Sequence, residues 1–225
     1  MDNGRRTFQD GGTTRTLSCS PHDERDFSGR LDRDTFMILE GLVTSLGPDG
    51  AINIAPMGPI VNQAMTRLVF RPYKTSRTYQ NLKSRPVGVF HVIDDVLLLA
   101  EAAIDRMATL PATVPAKVVE GQIITDACRW YEFEIENFDD EQERTTLRSR
   151  VVHMGRLKDW FGFNRAKHAV LEAAILATRV HLLPREEILA QLHALSIPIN
   201  KTAGPQEHAA FDLLMNYVWA ELHVA

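Results

Sequence analysis

The chain has 225 residues, which suits one large domain or two small ones and is long enough to bury a core. Its composition, 44% hydrophobic and 24% charged, is that of a soluble globular protein, and a formal net charge of −4 provides no basic field for nucleic acid. The most apolar stretch, Val96 to Ile104, carries Glu101 and is shorter than the roughly 18 residues of a membrane span, so no membrane partner is expected.

Residues 1–32 are rich in Gly, Ser, Thr, Asp and Arg and have no apolar signal-peptide core, so they read as a mobile tail. Cys19 falls in that tail and Cys128 lies far from it in sequence, which argues against a disulfide framework and for a reducing cytoplasm. Residues 33–157 read mainly as β-structure. TFMILEGLVTSL is a strand, GPDG a turn, AINIAPMGPIV the next strand and TRLVFRPY the third. A short helix starts near Ser76, and PVGVFHVI is a fourth strand closed by Asp94 and Asp95. RWYEFEIENF alternates, with Tyr131, Phe133 and Ile135 on one face and Glu132, Glu134 and Glu136 on a solvated one. A turn centred on Glu141 would set Glu134 opposite Arg148, Glu132 opposite Arg150, Tyr131 opposite Val151 and Ile135 opposite Leu147.

Residues 158–225 read as a helical domain. NRAKHAVLEAAILATRVHLL is apolar nearly all round between Ala169 and Ala177, so it is expected to lie between two layers and to end at Pro184. PREEILAQLHAL opens a second helix, SIPINKTAG reads as a connector, and Pro205 starts a third with Phe211, Leu214, Tyr217, Val218 and Leu222 as its buried stripe. The fold class is therefore α+β, mainly β, with C-terminal helices.

Metal and nucleophilic chemistry find no support. None of the eight histidines forms an HxxxH or HExxH pair, and there is no CxxC, GxSxG, GxGxxG or Walker motif, so no metal site is expected. Two segments carry more. In NIAPMG, Pro56 removes a ladder donor and Gly58 removes a side-chain wall, which lets backbone and ligand come close. The Asn53 amide could then pair with a heterocycle edge, and the N–H groups near Met57 and Gly58 could face a ring that gains negative charge. A plain β-bulge is the alternative. In RPYKTSRTYQNL, the hydroxyls of Thr75, Ser76 and Thr78 stand at a helix start beside Arg71, Lys74 and Arg77, an arrangement that suits a phosphate monoester. There the alternative is an N-cap at Ser76 with solvated cations around it. One strand separates the two segments, so both can reach one ligand about the length of FMN.

LEGLVTSLGPDGAINIAPMGPIV, YKTSRTYQNL, GFNRAKHAVLEAAILATR and NKTAGPQEHAAFDLLMNYV together resemble the Domain of Unknown Function 447 family over residues 36–222. That family belongs to the FMN-binding split β-barrel superfamily, with the flavin reductases and pyridoxamine-phosphate oxidases. The resemblance implies a six-stranded split β-barrel, a homodimer with FMN near the subunit interface, and an appended C-terminal helical domain. It also implies that Asn53, Ala55, Met57 and Gly58 line the flavin and that Thr75, Ser76 and Thr78 lie near its phosphate. The strand PVGVFHVIDD departs from the pattern by carrying His91 where Asn is expected, which puts a flavin contact there in doubt.

Asn164, Arg165 and Lys167 open a helix and could hold an anion, or Arg165 and Lys167 could pair with acidic groups of the barrel or simply be solvated, and Lys201 and Thr202 pose the same question. His168 and Glu172, one helical turn apart, could shuttle a proton or be a helix-face pair. The expected function is an FMN-dependent oxidoreductase acting on a small soluble substrate. A flavin carrier or sensor without turnover, and a cofactor-free dimeric interaction module, are the alternatives from other classes.

Overall fold

The computed structural model describes residues 36–224, and side chains from residue 37 to residue 223. The tail expected over residues 1–32 lies outside them. The strand expected from Thr35 is two strands, β1 (Phe36–Ile38) and β2 (Gly41–Leu46), and the next is also divided, into β3 (Ile52–Met57) and β4 (Ile60–Asn62). Between β2 and β3 the GPDG turn forms as expected. Gly50 adopts φ 80°, Gly47 N–H donates to the Ala51 carbonyl at 2.8 Å, and Ala51 N–H donates to Asp49 Oδ1 at 3.0 Å.

The chain continues through β5 (Arg67–Phe70), α1 (Arg77–Ser84) and β6 (Val87–Val92). α1 stops where Arg85 precedes Pro86, because proline disfavours helical geometry in the residue before it. α2 (Val96–Ala103) follows, capped by Asp95, whose carboxylate accepts from Leu98 N–H at 2.9 Å. A small hairpin, β7 (Thr113–Pro115) and β8 (Gln122–Ile124), leads to the long strands β9 (Arg129–Asp139) and β10 (Thr146–Arg156). The chain ends in α3 (Arg165–Ala177), α4 (Arg185–Thr202) and α5 (Pro205–Val224).

Eight strands form one antiparallel sheet in the order β1-β4-β5-β10-β9-β6-β2-β3. β1 and β2 are consecutive in the chain yet lie towards opposite ends of that order, as do β3 and β4, so the sheet curls into a split barrel. Each divided pair is one long strand broken at a corner, which reconciles the six strands expected with the eight observed. Phe70, Phe90, Tyr131, Phe133 and Leu147 fill the interior, with the Phe70 and Phe133 rings 4.7 Å apart, and α1 plugs one end with Tyr79 and Leu82. Burying each such side chain contributes about 1.5–3 kcal/mol.

α2 was not foreseen as a helix. It joins two layers: Ala102 and Leu98 pack with Leu42 and Ile54 of the sheet, while Val96, Leu99 and Ala100 enter the core formed by α3, α4 and α5. α3 lies between layers as expected and buries Ala166, Ala169, Val170, Ala173, Ala174, Leu176 and Ala177, but it ends at Ala177, well before Pro184. The expected connector SIPINKTAG is helical as far as Thr202, so α4 runs through Pro198. Phe211, Leu214 and Val218 are buried on α5, as expected of its stripe.

The β9–β10 hairpin forms, but its register differs from the expected one. Glu134 pairs with Arg150 and Arg148 with Asn137, with irregularities at Arg148/Ser149 and Val151/His153. The Arg150 guanidinium bonds Glu134 at 2.8 Å and Glu136 at 3.2 Å. Glu132 is not on a solvated face: it is fully buried. Its carboxylate accepts from the N–H groups of Lys117 (2.9 Å), Val118 (2.7 Å) and Val119 (3.0 Å) and from Trp130 Nε1 (3.2 Å). Burial alone would raise its pKa, but these bonds outweigh it and leave the carboxyl below its ordinary value. Glu132→Gln presents an NH2 to this ring of donors and should cost about 2–4 kcal/mol, read as a lower urea midpoint at unchanged m.

Candidate functional site

α1 begins where the chain leaves β5. The turn from Tyr73 to Ser76 is held against the loop between β9 and β10: Lys74 N–H donates to the Glu143 carbonyl at 3.0 Å and Thr145 N–H to the Pro72 carbonyl at 2.9 Å. Ser76 is the N-cap; its hydroxyl accepts from Tyr79 N–H at 3.2 Å and donates to the Tyr73 carbonyl at 2.8 Å. The Arg77 and Thr78 N–H groups, in the first turn, have no acceptor among the described residues, as the opening of a helix leaves them. Thr75 is exposed, and its hydroxyl has no partner among the described residues. Arg77 is exposed beside it.

The interrupted strand meets this helix start directly. Asn53 Nδ2 donates to the buried Thr78 hydroxyl at 3.1 Å. β3 ends the sheet order, and Asn53, Ala55 and Met57 share one of its faces by alternation. At the end of β3 a Cβ on Gly58 would lie 2.6 Å from Glu40 Oε1, so the Glu40 carboxylate occupies the room that the glycine leaves.

From that corner a cleft of about 420 Å³ opens between barrel and helices; Met57, Gly58 and Arg71 line it, together with Glu40, Arg144 and Arg179. Burial, and then the neighbouring Glu172 carboxylate, push the Glu40 pKa above its ordinary value. Of the eight candidate residues, Met57, Gly58 and Arg71 therefore meet in the cleft, whereas Asn53, Ser76 and Thr78 meet at the helix start. Ala55 lies on β3 between the two groups, and Thr75 stands on the turn before Ser76.

Glu40, Arg144 and Arg179 were not singled out in the sequence. Glu40 interrupts the apolar run LEGL, the one local sign available, whereas the two arginines reach the cleft only through the tertiary fold. The helix start of α3 is occupied from within. Asn164 caps it, accepting from Ala166 N–H at 2.8 Å, and Lys167 pairs with Glu207 at 2.9 Å and donates to the Asp94 carbonyl at 2.6 Å. Lys167 therefore pairs with an acidic side chain, as one of its options had it, but that side chain belongs to α5 and not to the barrel. His168 stacks on Phe163 with ring centroids 6.1 Å apart.

A curled antiparallel sheet whose end strand is broken beside a capped helix start, with a helical layer against it, defines a split β-barrel protein. The family model "Protein of unknown function (DUF447) N-terminal domain" matches residues 39–158 and the model "Protein of unknown function (DUF447)" matches residues 164–216; the chain belongs to the DUF447 family. Among solved structures it is similar to an FMN-bound DUF447 protein from Methanosarcina mazei, at 23% identity over 80% of this chain and 94% of that one, with a TM-score of 0.67. Similarity to a 2-nitrobenzoate 2-nitroreductase from Pseudomonas fluorescens is lower, at 19% identity, 52% of this chain, 64% of that one and a TM-score of 0.45. For the styrene monooxygenase flavin reductase from Pseudomonas putida S12 the figures are 13%, 53%, 81% and 0.43. No curated protein matches the sequence significantly.

His91 is fully buried in β6. Its Nδ1 lies 3.3 Å from the Leu42 carbonyl, and its Nε2 accepts from Ile124 N–H at 3.1 Å. A carbonyl can only accept, so Nδ1 carries the proton and the ring is neutral. Burial lowers its pKa from 6.5 to about 4, against the opposing effect of the Leu42 carbonyl. The unfolded chain thus binds this proton first as the pH falls, and stability drains away between pH 6.5 and 4, by about 3 kcal/mol at most. Denaturant midpoints measured from pH 7 to 4 should show wild type losing ground to His91→Gln across that window; a constant difference between the two would refute this.

Proposed function

We propose that this chain binds FMN where β3 meets the start of α1 and acts as a flavin-dependent oxidoreductase on a small substrate, as a homodimer with the flavin near the subunit interface. One observation carries the reading: the 3.1 Å hydrogen bond from Asn53 to Thr78 joins the interrupted strand to the helix start, so two segments suited to the two ends of one ligand are contiguous. The residues present fit the group. The Thr75 hydroxyl, the Arg77 and Thr78 N–H groups, the Ser76 cap and the Arg71 charge would receive the phosphate. Asn53, Ala55, Met57 and Gly58 would line the isoalloxazine, with the missing Gly58 side chain admitting it close to the backbone. The FMN-bound relative from Methanosarcina mazei, similar over most of both chains, supports the choice of flavin.

Bound flavin supplies hydride or electron transfer, so the protein need only hold, orient and shield the ring. The Ser76 cap and the turn anchored on Glu143 and Thr145 fix the phosphate end, and the Asn53–Thr78 bond fixes the strand against it. A second copy would cover the exposed apolar side chains Met37 (62%), Ile38 (52%) and Tyr73 (54%).

Purified protein should carry flavin absorbance that bleaches anaerobically with NADH or NADPH; a colourless protein that takes up no added FMN defeats the reading. The Thr75 hydroxyl has no hydrogen-bond partner among the described residues, so Thr75→Val should leave the fold intact and raise the Kd for FMN roughly tenfold, or about 1.4 kcal/mol, by flavin fluorescence titration. Unchanged affinity would remove the phosphate assignment.

A further inference from the structure

We infer that the cleft between barrel and helices is a subsite for a small organic anion with an apolar body, which names the substrate class of the flavin site proposed above and rests on that reading for its catalytic sense. Three guanidinium groups reach this cleft from separate elements. Arg71 follows β5, Arg144 lies in the loop between β9 and β10, and Arg179 stands just beyond α3. Arg144 is held in place: its Nε donates to the Arg71 carbonyl at 3.4 Å, and its guanidinium lies 5.9 Å from the Tyr73 ring centroid. Among the described residues none of the three forms an ion pair, although ion pairs engage Arg85, Arg150 and Arg156 elsewhere.

Leu99 from α2 and Leu171 from α3 add apolar surface to the same lining. Among the described residues Glu40, set at the Gly58 corner, is the one carboxylate on the lining, with Glu172 beside it, so three positive groups stand against two negative ones. Planar guanidinium forks match carboxylate or phosphate oxygens in pairs, and the leucine surface beside them favours a ligand whose remainder is hydrocarbon or aromatic. A neutral ligand of the same shape gains only the apolar contacts. Arg71 serves either this subsite or the flavin phosphate, so the subsite is distinguished by Arg144 and Arg179.

The test is calorimetric titration of the full-length protein as purified, with 2-naphthoate and the neutral 2-naphthamide as probes. Naphthoate should bind at least tenfold more tightly than naphthamide and perturb the flavin absorbance without releasing flavin. The Arg144→Gln/Arg179→Gln variant should lose the preference while its far-UV circular dichroism and flavin content stay unchanged. Arg179→Gln alone, at a side chain with no hydrogen bond or ion pair among the described residues, should lose at least threefold and serves should the double variant fail to fold. Equal binding of the two probes, a preference that survives in the variants, or stoichiometric release of flavin by naphthoate would each overturn the inference. A colourless wild type that takes up no added FMN yet retains the arginine-dependent preference would sustain the anion subsite and sink the FMN reading alone.

Discussion

The long hairpin that begins the barrel has to turn a corner, and the corner is made by Glu40 and Gly58. Its first half, β2 with β3, forms one end of the sheet order, and its second half, β1 with β4, forms the other. Only a bend between the halves can bring both ends onto one curled sheet. Leu39 N–H keeps the two arms in register by donating to the Pro59 carbonyl at 3.1 Å, and the absent Gly58 side chain leaves room for the Glu40 carboxylate. The bend also breaks the end strand of the sheet, and the cleft opens at that break. Barrel closure and site are consequences of one local constraint.

Polar groups buried around this frame are satisfied in a way that ties loops to it. Glu132 collects three successive N–H groups of residues 117–119, pinning the loop between β7 and β8 to β9. His91 anchors β8 through Ile124. At the seam with the helices, Asp94 receives Lys158 at 3.1 Å, while Lys167 reaches both Glu207 and the Asp94 carbonyl. Each of these groups would be costly to bury alone, so each fixes the geometry of the partner that satisfies it.

The division into a barrel and helices was legible in the sequence because alternation over Arg129–Phe138 and the apolar run over Ala169–Ala177 are strong local signals. The N-cap at Ser76 was legible for the same reason: a hydroxyl ahead of a helix start is a local device. The register of β9 and β10 was not, since two irregularities and the inward turn of Glu132 depend on a loop that sequence spacing does not place. α2 was hidden because VLLLAEAA is apolar on nearly every side, and a helix clasped between two layers shows no period. At the site, Asn53 and Thr78 are separated by β4 and β5 in sequence, and they meet because α1 packs back on β2 and β3, which sequence spacing does not show. Glu40 shows locally only as a break in the apolar run LEGL, whereas Arg144 and Arg179 reach the cleft after the barrel closes and α3 docks, so nothing local announced them.

α2 has a consequence for how the molecule assembles. It is encoded between strands of the barrel, yet Val96, Leu99 and Ala100 complete the hydrophobic core that α3, α4 and α5 build some seventy residues later. The three last helices therefore lack one wall until the earlier segment is in place, and the outer face of β2 and β3 lacks its cover until α2 is held from behind. Such interlocking of early and late segments raises the mean sequence separation of native contacts, which slows the search for the native state. A chain severed between β10 and α3 would leave an oily face on each piece, and neither fragment could be expected to outlive the other.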